Sequence, residues 1–308
     1  MDAAVTPPAV TPYSARARYF DSGSAFNLVY TDVPAASFVA ERDAALNEST
    51  GTCWIPCDQG KVLGLSYAAT SPLILAGYVR VRKGESIEID PRASVVLGYV
   101  ISGTGAISQA TDAFDWEAGD IFSLPGGAPI RFSSTTTDCV LWIVSNEPQL
   151  KFEGFAPPPR IAAQVEVAHF PAATISAELD LARARLAGQE KVAGLAVVLS
   201  SARLEATKNI SPSLTFAMNQ LTPGNSQAAH SHNSVAISLA IEGTHCYSKV
   251  NGLRKDWSPF VTLVTPPTSV HSHHNDGDRL AQWLIAQDGG IYYHCRTMGF
   301  RFESPEHR

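Results

Sequence analysis

The chain repeats itself, and no other feature constrains its fold as much. Shifted by about 140 residues, three blocks recur in the same order with one residue of slippage. Lys83 to Arg92 (KGESIEIDPR) lies against Pro223 to His232 (PGNSQAAHSH). Gly98 to Ser108 (GYVISGTGAIS) lies against Ser238 to Ser248 (SLAIEGTHCYS), and Asp115 to Pro125 against Asp256 to Pro266. A shared order of blocks indicates a duplicated domain. The 308 residues suffice for two domains, each with a core of its own. The expected division is 1–160, an arm followed by one copy, and 161–308, a connecting helix followed by the other.

Each copy reads as β. VVLGYVIS, DIFSLP, VLWIVSN, SVAISLAI and FVTLVTP are short runs rich in Val, Ile, Leu and Phe, bounded by Gly, Pro, Asn and Asp. Many short strands separated by turns predict a sandwich or barrel. Helical signals are few, and Pro34–Glu48 and Ala172–Glu190 carry them. The latter has Thr174 or Ser176 as a candidate N-cap and Gly188 near its end.

The net charge of -6 argues against nucleic acid as a main partner, since phosphate binding needs clustered Lys and Arg. No apolar run approaches the roughly 20 residues of a membrane span. The N-terminal segment has no apolar stretch of signal-peptide type and reads as a Pro-rich arm, so the expected location is cytoplasmic. The five cysteines, Cys53, Cys57, Cys139, Cys246 and Cys295, are odd in number and irregularly spaced, as free thiols in a reducing compartment would be.

The chemistry lies in the histidines. Seven of the nine fall between His230 and His294. Residues i and i+2 of a strand share a face, so His230 and His232 can offer two imidazoles to one metal and His271 a third from another strand. Imidazole suits Fe, Zn, Cu and Ni, and three protein ligands leave positions open for catalysis. His273 shares the face of His271. Ser238, His245, Trp257 and Gln282 are further candidates for lining a substrate pocket. Asn275 either faces inward or ends its strand with its amide bonded to the turn.

These residues resemble the motifs of the cupin superfamily, and the whole chain resembles a bicupin. Gly224, five residues, then His230-Ser-His232 and a later Gly243 match the first motif. Pro266, His271 and Asn275 match the second, with Phe260 and Thr268 replacing two expected glycines. The resemblance implies an all-β fold of two jelly-roll (double-stranded β-helix) barrels with a few short helices. Where the first motif expects a Glu ligand this chain has Ala236 or Ile237, which implies a site of three histidines. That pattern is similar to the gentisate 1,2-dioxygenase group, with its salicylate and 1-hydroxy-2-naphthoate ring-cleaving enzymes. The resemblance implies Fe(II) on His230, His232 and His271, and His273 as the group that deprotonates the substrate hydroxyl or hydrogen-bonds bound oxygen. Where the group usually carries an Arg for the substrate carboxylate, this chain has Ser238. In the N-terminal copy, Asp90, Arg92 and Ile130 stand at the ligand positions, which implies a degenerate, metal-free cupin.

The expected function is therefore Fe(II)-dependent ring cleavage of a hydroxylated aromatic acid, with both atoms of O2 incorporated. Two alternatives remain open at this point. One is a three-His dioxygenase of a non-aromatic chelator, such as a thiol or β-diketone. The other is a Zn or Mn cupin acting as hydrolase, isomerase or binding protein. The expected partners are a small aromatic molecule, O2 and further copies of the chain in a homo-oligomer, with no nucleic acid and no membrane.

Overall fold

The run Val95–Ser102 shows how the sequence builds the body of the molecule. Val95, Leu97 and Tyr99 alternate with Val96 and Val100, and both sets are buried. A strand apolar on both faces must lie between two packed layers. The computed structural model, which describes residues 11–186 and 194–303, places it there. Gly188, His307 and residues 1–10 lie outside the described residues.

The described chain forms two units, an arm to Thr31 and a body from Asp32 onward. The arm carries a 3-10 turn at Ser14–Arg16 and a single helical turn at Ser22–Ala25. The body consists of four antiparallel sheets. In the N-terminal half, six strands run in the order Ala168–Phe170, Ile121–Pro125, Val95–Ser102, Cys139–Ser145, Leu75–Val81, Cys53–Pro56. Against them lie Ser86–Ile89, Ile130–Ser133, Thr104–Gln109 and Asp112–Glu117. The C-terminal half repeats the plan. Its six-stranded sheet runs Ser37–Phe38, Thr262–Thr265, Ala236–Glu242, Ala281–Gln287, Thr215–Leu221, Leu195–Val198. Its second sheet runs Leu253–Asp256, Cys246–Val250, His271–Asn275, His230–Ser231, Arg301–Phe302. The β-rich duplicated architecture expected from the sequence is thus present, as two-sheet halves.

The halves exchange edges. Ser37–Phe38, from before the N-terminal copy, pairs with Thr262–Leu263 of the C-terminal one. Ala168–Phe170, from after the Pro-rich connection, pairs with Ile121–Ser123 of the N-terminal one. Each exchange covers a sheet edge that would otherwise leave backbone groups unpaired.

Three apolar clusters follow from strand alternation. One lies between the six-stranded sheets of the two halves and joins Tyr78, Leu97 and Trp142 to Phe216, Leu239 and Leu284. Trp142 Nε1 donates to Thr262 Oγ1 (2.9 Å), and the same oxygen lies 2.7 Å from the Tyr78 hydroxyl. The second fills the inside of the N-terminal half with residues such as Phe122, Ile130 and Phe132. The third, around Trp257 and Trp283, fills only part of the inside of the C-terminal half. The rest of that interior is the cavity described below.

Both segments expected to be helical form helices, the first of them shorter than expected. Pro34–Glu48 yields a helix at Val39–Leu46, because Ser37–Phe38 is taken up as a strand. Of Ala172–Glu190, Ala172–Leu186 is helical and the remainder lies outside the described residues. Its first amide is capped from outside, by Asp120 Oδ1 (2.8 Å to Ala172 N).

Phe260 and Thr268 explain what became of the two missing glycines. Gly119 and Gly127 hold φ of 94° and 84°, and their counterparts Phe260 and Thr268 hold 60° and 61°. A side chain in this left-handed region costs about 1–2 kcal/mol. The C-terminal half keeps the turns and carries that cost beside the site, since Thr268 N donates to the His232 carbonyl at 2.7 Å.

Candidate metal centre

His230 and His271 are a cross-strand pair. That register puts both imidazoles on the inner face of the sheet, and His232, two residues on, joins them. Ring centroids stand 4.2 Å apart for His230–His271, 4.8 Å for His232–His271 and 6.0 Å for His230–His232. One nitrogen from each ring lies within 4.8 Å of the other two, and all three residues are buried.

Second partners decide which nitrogen faces the centre. Nδ1 of His230 bonds the Ala228 carbonyl (2.8 Å), Nδ1 of His232 the Ser234 carbonyl (2.8 Å), and Nδ1 of His271 the Ser269 carbonyl (2.9 Å). A carbonyl oxygen only accepts, so each Nδ1 carries the proton and each Nε2 is a bare lone pair. Burial holds all three rings neutral. It lowers the pKa of His230 and His232, and that of His271 to about 3, where the neighbouring His230 adds to the effect. Three neutral imidazoles with Nδ1 tied to the backbone and an unprotonated Nε2, that of His232 accepting from the Gln287 amide, form the donor set of a histidine-bound metal. No carboxylate joins them among the described residues.

The N-terminal half provides an internal comparison. Ile89 pairs with Ile130 in the register in which His230 pairs with His271. A constant shift of 140 residues points instead to Asp90 and Arg92, and the structure corrects this by one residue. Ser86 pairs with Ser133, and Ser226 bridges His274. From these matched points, His230 is four residues from Ser226, whereas Ile89 is three from Ser86. The extra residue is a bulge, which re-aims the following side chains. Ile89, Pro91 and Ile130 thus stand where the three histidines stand. Arg92 reaches away to the carbonyls of Phe155 (2.6 Å) and Gly154 (3.1 Å).

The three histidines line a cavity of about 210 Å³. An apolar cavity of roughly 150 Å³ holds a benzene, so one substituted ring fits here. The wall includes Ala217, Ile285, Met298 and Phe300, with Asn219, Gln227, Ser238, Thr265 and Gln287 as polar members. Phe300 packs its ring 5.2 Å from that of His230. Gln227 Oε1 is buried without a hydrogen-bond partner among the described residues.

Other candidates from the sequence are placed unequally. His273 lines the cavity and is buried, with its pKa held well below the usual value by burial and by the neighbouring histidines. Ser238 lines the cavity too. Trp257 does not reach it but packs on His273, with ring centroids 5.6 Å apart, as does Trp283 at 5.1 Å. His245 is exposed in the turn after Gly243, at φ 58°, away from the cavity. Gln282 also lies outside the lining, because strand alternation turns it away from the face of Ile285 and Gln287. Asn275 ends its strand. Its amide donates to the carbonyls of Leu221 (2.9 Å) and Arg279 (2.8 Å), and its Oδ1 accepts from Gly277 N. His274, on the outer face, is half-buried and stacks on Tyr247 at 4.6 Å.

Sequence reasoning missed Gln287, Gln227, Met298 and Phe300. Gln287 shares its strand face with Ile285, a phase legible only once the strand is fixed. Met298 and Phe300 belong to the C-terminal segment, where Arg301–Phe302 adds a strand beside His230–Ser231. No motif marks them.

No family model matches the chain. Over 92 residues it is 26% identical to gentisate 1,2-dioxygenase 1 of Aquipseudomonas alcaligenes, covering 30% of this chain and 26% of that protein. Over 84 residues it is 32% identical to a 1-hydroxy-2-naphthoate 1,2-dioxygenase of Nocardioides sp. (strain KP7), covering 27% of this chain and 21% of that one. The matches thus span about a quarter of these relatives' length. The structure superposes on salicylate 1,2-dioxygenase from Pseudoaminobacter salicylatoxidans, solved with gentisate, at a TM-score of 0.70. That match has 15% identity and covers 90% of this chain and 87% of the other. At this identity the likeness is one of fold.

Proposed function

Taking as premise that this chain is a bicupin resembling the gentisate and salicylate ring-cleaving dioxygenases, we propose that it is an Fe(II)-dependent dioxygenase of a hydroxylated aromatic acid. The reaction breaks one ring carbon–carbon bond and leaves both atoms of O2 in the product. The electrons come from that bond, so no external reductant is needed. The observation that carries the reading is the convergence of three neutral Nε2 lone pairs, from His230, His232 and His271, with no carboxylate beside them among the described residues.

The donor set fits iron, which accepts imidazole and keeps open positions on three ligands. When bound, iron would supply a +2 charge that neutral ligands leave uncompensated, favouring an anionic chelator, and a path for electrons between that chelator and O2. The chain's own residues do the rest. Phe300, Met298 and Ile285 offer apolar surface to the ring. Gln287, Asn219, Thr265 and Ser238 offer hydrogen bonds to its substituents. None of the described cavity-lining residues is Lys or Arg, so hydroxyl and amide groups, Ser238 among them, would meet the substrate carboxylate. His273 would contact the bound reactants.

We also retain the division at 160/161 into a metal-free and a catalytic half, a cytoplasmic location and a homo-oligomeric state as proposals. No described helix is long and apolar enough to cross a membrane, and all five cysteines are free. The arm exposes Tyr19, Phe20, Phe26, Leu28, Val29 and Tyr30, an apolar set suited to contact with another copy.

Oxygen uptake by the iron-loaded protein on gentisate, salicylate and 1-hydroxy-2-naphthoate tests the reading. Uptake on at least one of them, with two labelled atoms from 18O2 in the product, is expected. No uptake on any of the three would overturn it.

A further inference from the structure

A buried polar relay behind the cavity has no counterpart in the N-terminal half. Ser248 pairs across the sheet with His273, and the matching pair in the other half is Ile107 with Phe132. Both partners are buried in both halves. Replacing a packed apolar pair by a hydroxyl and an imidazole costs burial energy unless each polar atom finds a partner. Trp257 completes the set. Its counterpart by register, Trp116, is also buried, but Trp116 Nε1 has no hydrogen-bond partner among the described residues. Trp257 Nε1 donates to Ser248 Oγ at 2.8 Å, and Ser248 Oγ lies 2.8 Å from His273 Nδ1.

The donor count along this relay is fixed by its ends. Indole N–H can only donate, so Ser248 Oγ accepts from Trp257. The remaining proton of the hydroxyl has one acceptor within reach among the described residues, His273 Nδ1. Were Nδ1 protonated instead, Ser248 would face two donors and its own buried hydroxyl proton would have nowhere to go. Nδ1 therefore accepts, and in a neutral imidazole the proton then sits on Nε2. Nε2 has no partner among the described residues, on a ring that lines the metal cavity.

We infer that Trp257 and Ser248 act as positioning residues that lock His273 in the Nε2–H tautomer, so that it presents a hydrogen-bond donor, not a base, to the cavity. An Nε2–H group stabilises an oxygen anion or a metal-facing oxygen atom and removes no proton from a substrate hydroxyl. Of the two roles that the sequence leaves open for His273, the relay selects the hydrogen-bond donor. The identity of the ligand as an aromatic acid rests on the function proposed above, whereas the tautomer does not.

The test reads the tautomer directly. Protein labelled with 15N-histidine and loaded with Zn²⁺ as a diamagnetic stand-in is examined by NMR, with His273 assigned by its loss in His273→Gln. The inference expects a protonated Nε2 and an unprotonated Nδ1. It also expects Ser248→Ala to move part of the proton to Nδ1 and Ser248→Thr, which keeps the hydroxyl, to restore the original pattern. Without oxygen, gentisate should bind Ser248→Ala about tenfold more weakly, the equivalent of one lost hydrogen bond, at unchanged metal content. A wild-type spectrum with the proton on Nδ1 would overturn the inference, as would a Ser248→Ala spectrum identical to wild type. Neither spectrum depends on turnover, so an inactive protein would defeat the dioxygenase reading while leaving this one to stand or fall by itself.

Discussion

The carboxamide nitrogen of Gln287 stands 3.3 Å from Nε2 of His232 and donates to its lone pair. A metal ion needs that same lone pair, so binding must displace this hydrogen bond. A net hydrogen bond is worth about 0.5–1.5 kcal/mol. Gln287→Ala should therefore bind Zn²⁺ up to about tenfold more tightly in a competition titration. Weaker binding would show instead that Gln287 supports the ligand set.

Phe300 lies half-exposed at the cavity, against the His230 ring. It belongs to the wall and offers no metal donor. Phe300→Ala should leave metal content unchanged while weakening binding of an aromatic acid by about 0.5–1.5 kcal/mol, the typical worth of a ring–ring contact. Equilibrium binding measured without oxygen checks this. Equal loss of metal would assign the residue to the support of His230.

Thr262 ties the two halves together through one oxygen that serves both Trp142 and Tyr78. Thr262→Val keeps the shape and removes that oxygen. The Trp142 indole N–H is then left buried without an acceptor, whereas Tyr78 keeps the Phe260 carbonyl. A loss of about 1–3 kcal/mol in denaturant unfolding is expected. A change below about 0.5 kcal/mol, the range of ordinary surface substitutions, would contradict this account of the junction.

Asp288 precedes the helix Gly289–Cys295 and accepts from Val235 N. Burial raises its pKa from 3.8 to about 7. The folded chain therefore holds a proton between those values that the unfolded chain has released. Stability from this group is fully present below about pH 4 and is lost as pH rises toward 7, by up to about 1.4 kcal/mol per pH unit. Asp288→Asn keeps an acceptor for Val235 and cannot ionise. It should flatten that part of the stability–pH curve and be more stable than wild type at pH 8. Parallel curves for the two proteins would contradict the shift.

Much of this was legible in the sequence, and the limits have physical causes. The duplication and the β character were readable because alternation and turn residues recur in both copies. The three ligands were readable because His-x-His on a strand turns both imidazoles to one face, where few roles but metal binding suit them. Asp90 and Arg92 misled because the bulge between Ser226 and His230 leaves no mark in composition. Gln282 could not be placed from the sequence because its strand phase is set by the fold, and one residue of phase reverses the face. The Ser248–His273 pair was out of reach because it joins strands whose register is set by the fold. Only the comparison with Ile107 and Phe132 shows that a polar pair there is unusual.

In the proposed function, His230, His232 and His271 hold the iron at which ring cleavage occurs. Metal content and oxygen uptake, measured on the same samples of wild type and His271→Ala purified without oxygen, decide whether they do. About one iron per wild-type chain and uptake with an aromatic acid are expected, with loss of both in the variant while the fold is retained. Iron or uptake persisting in His271→Ala would contradict the proposed function.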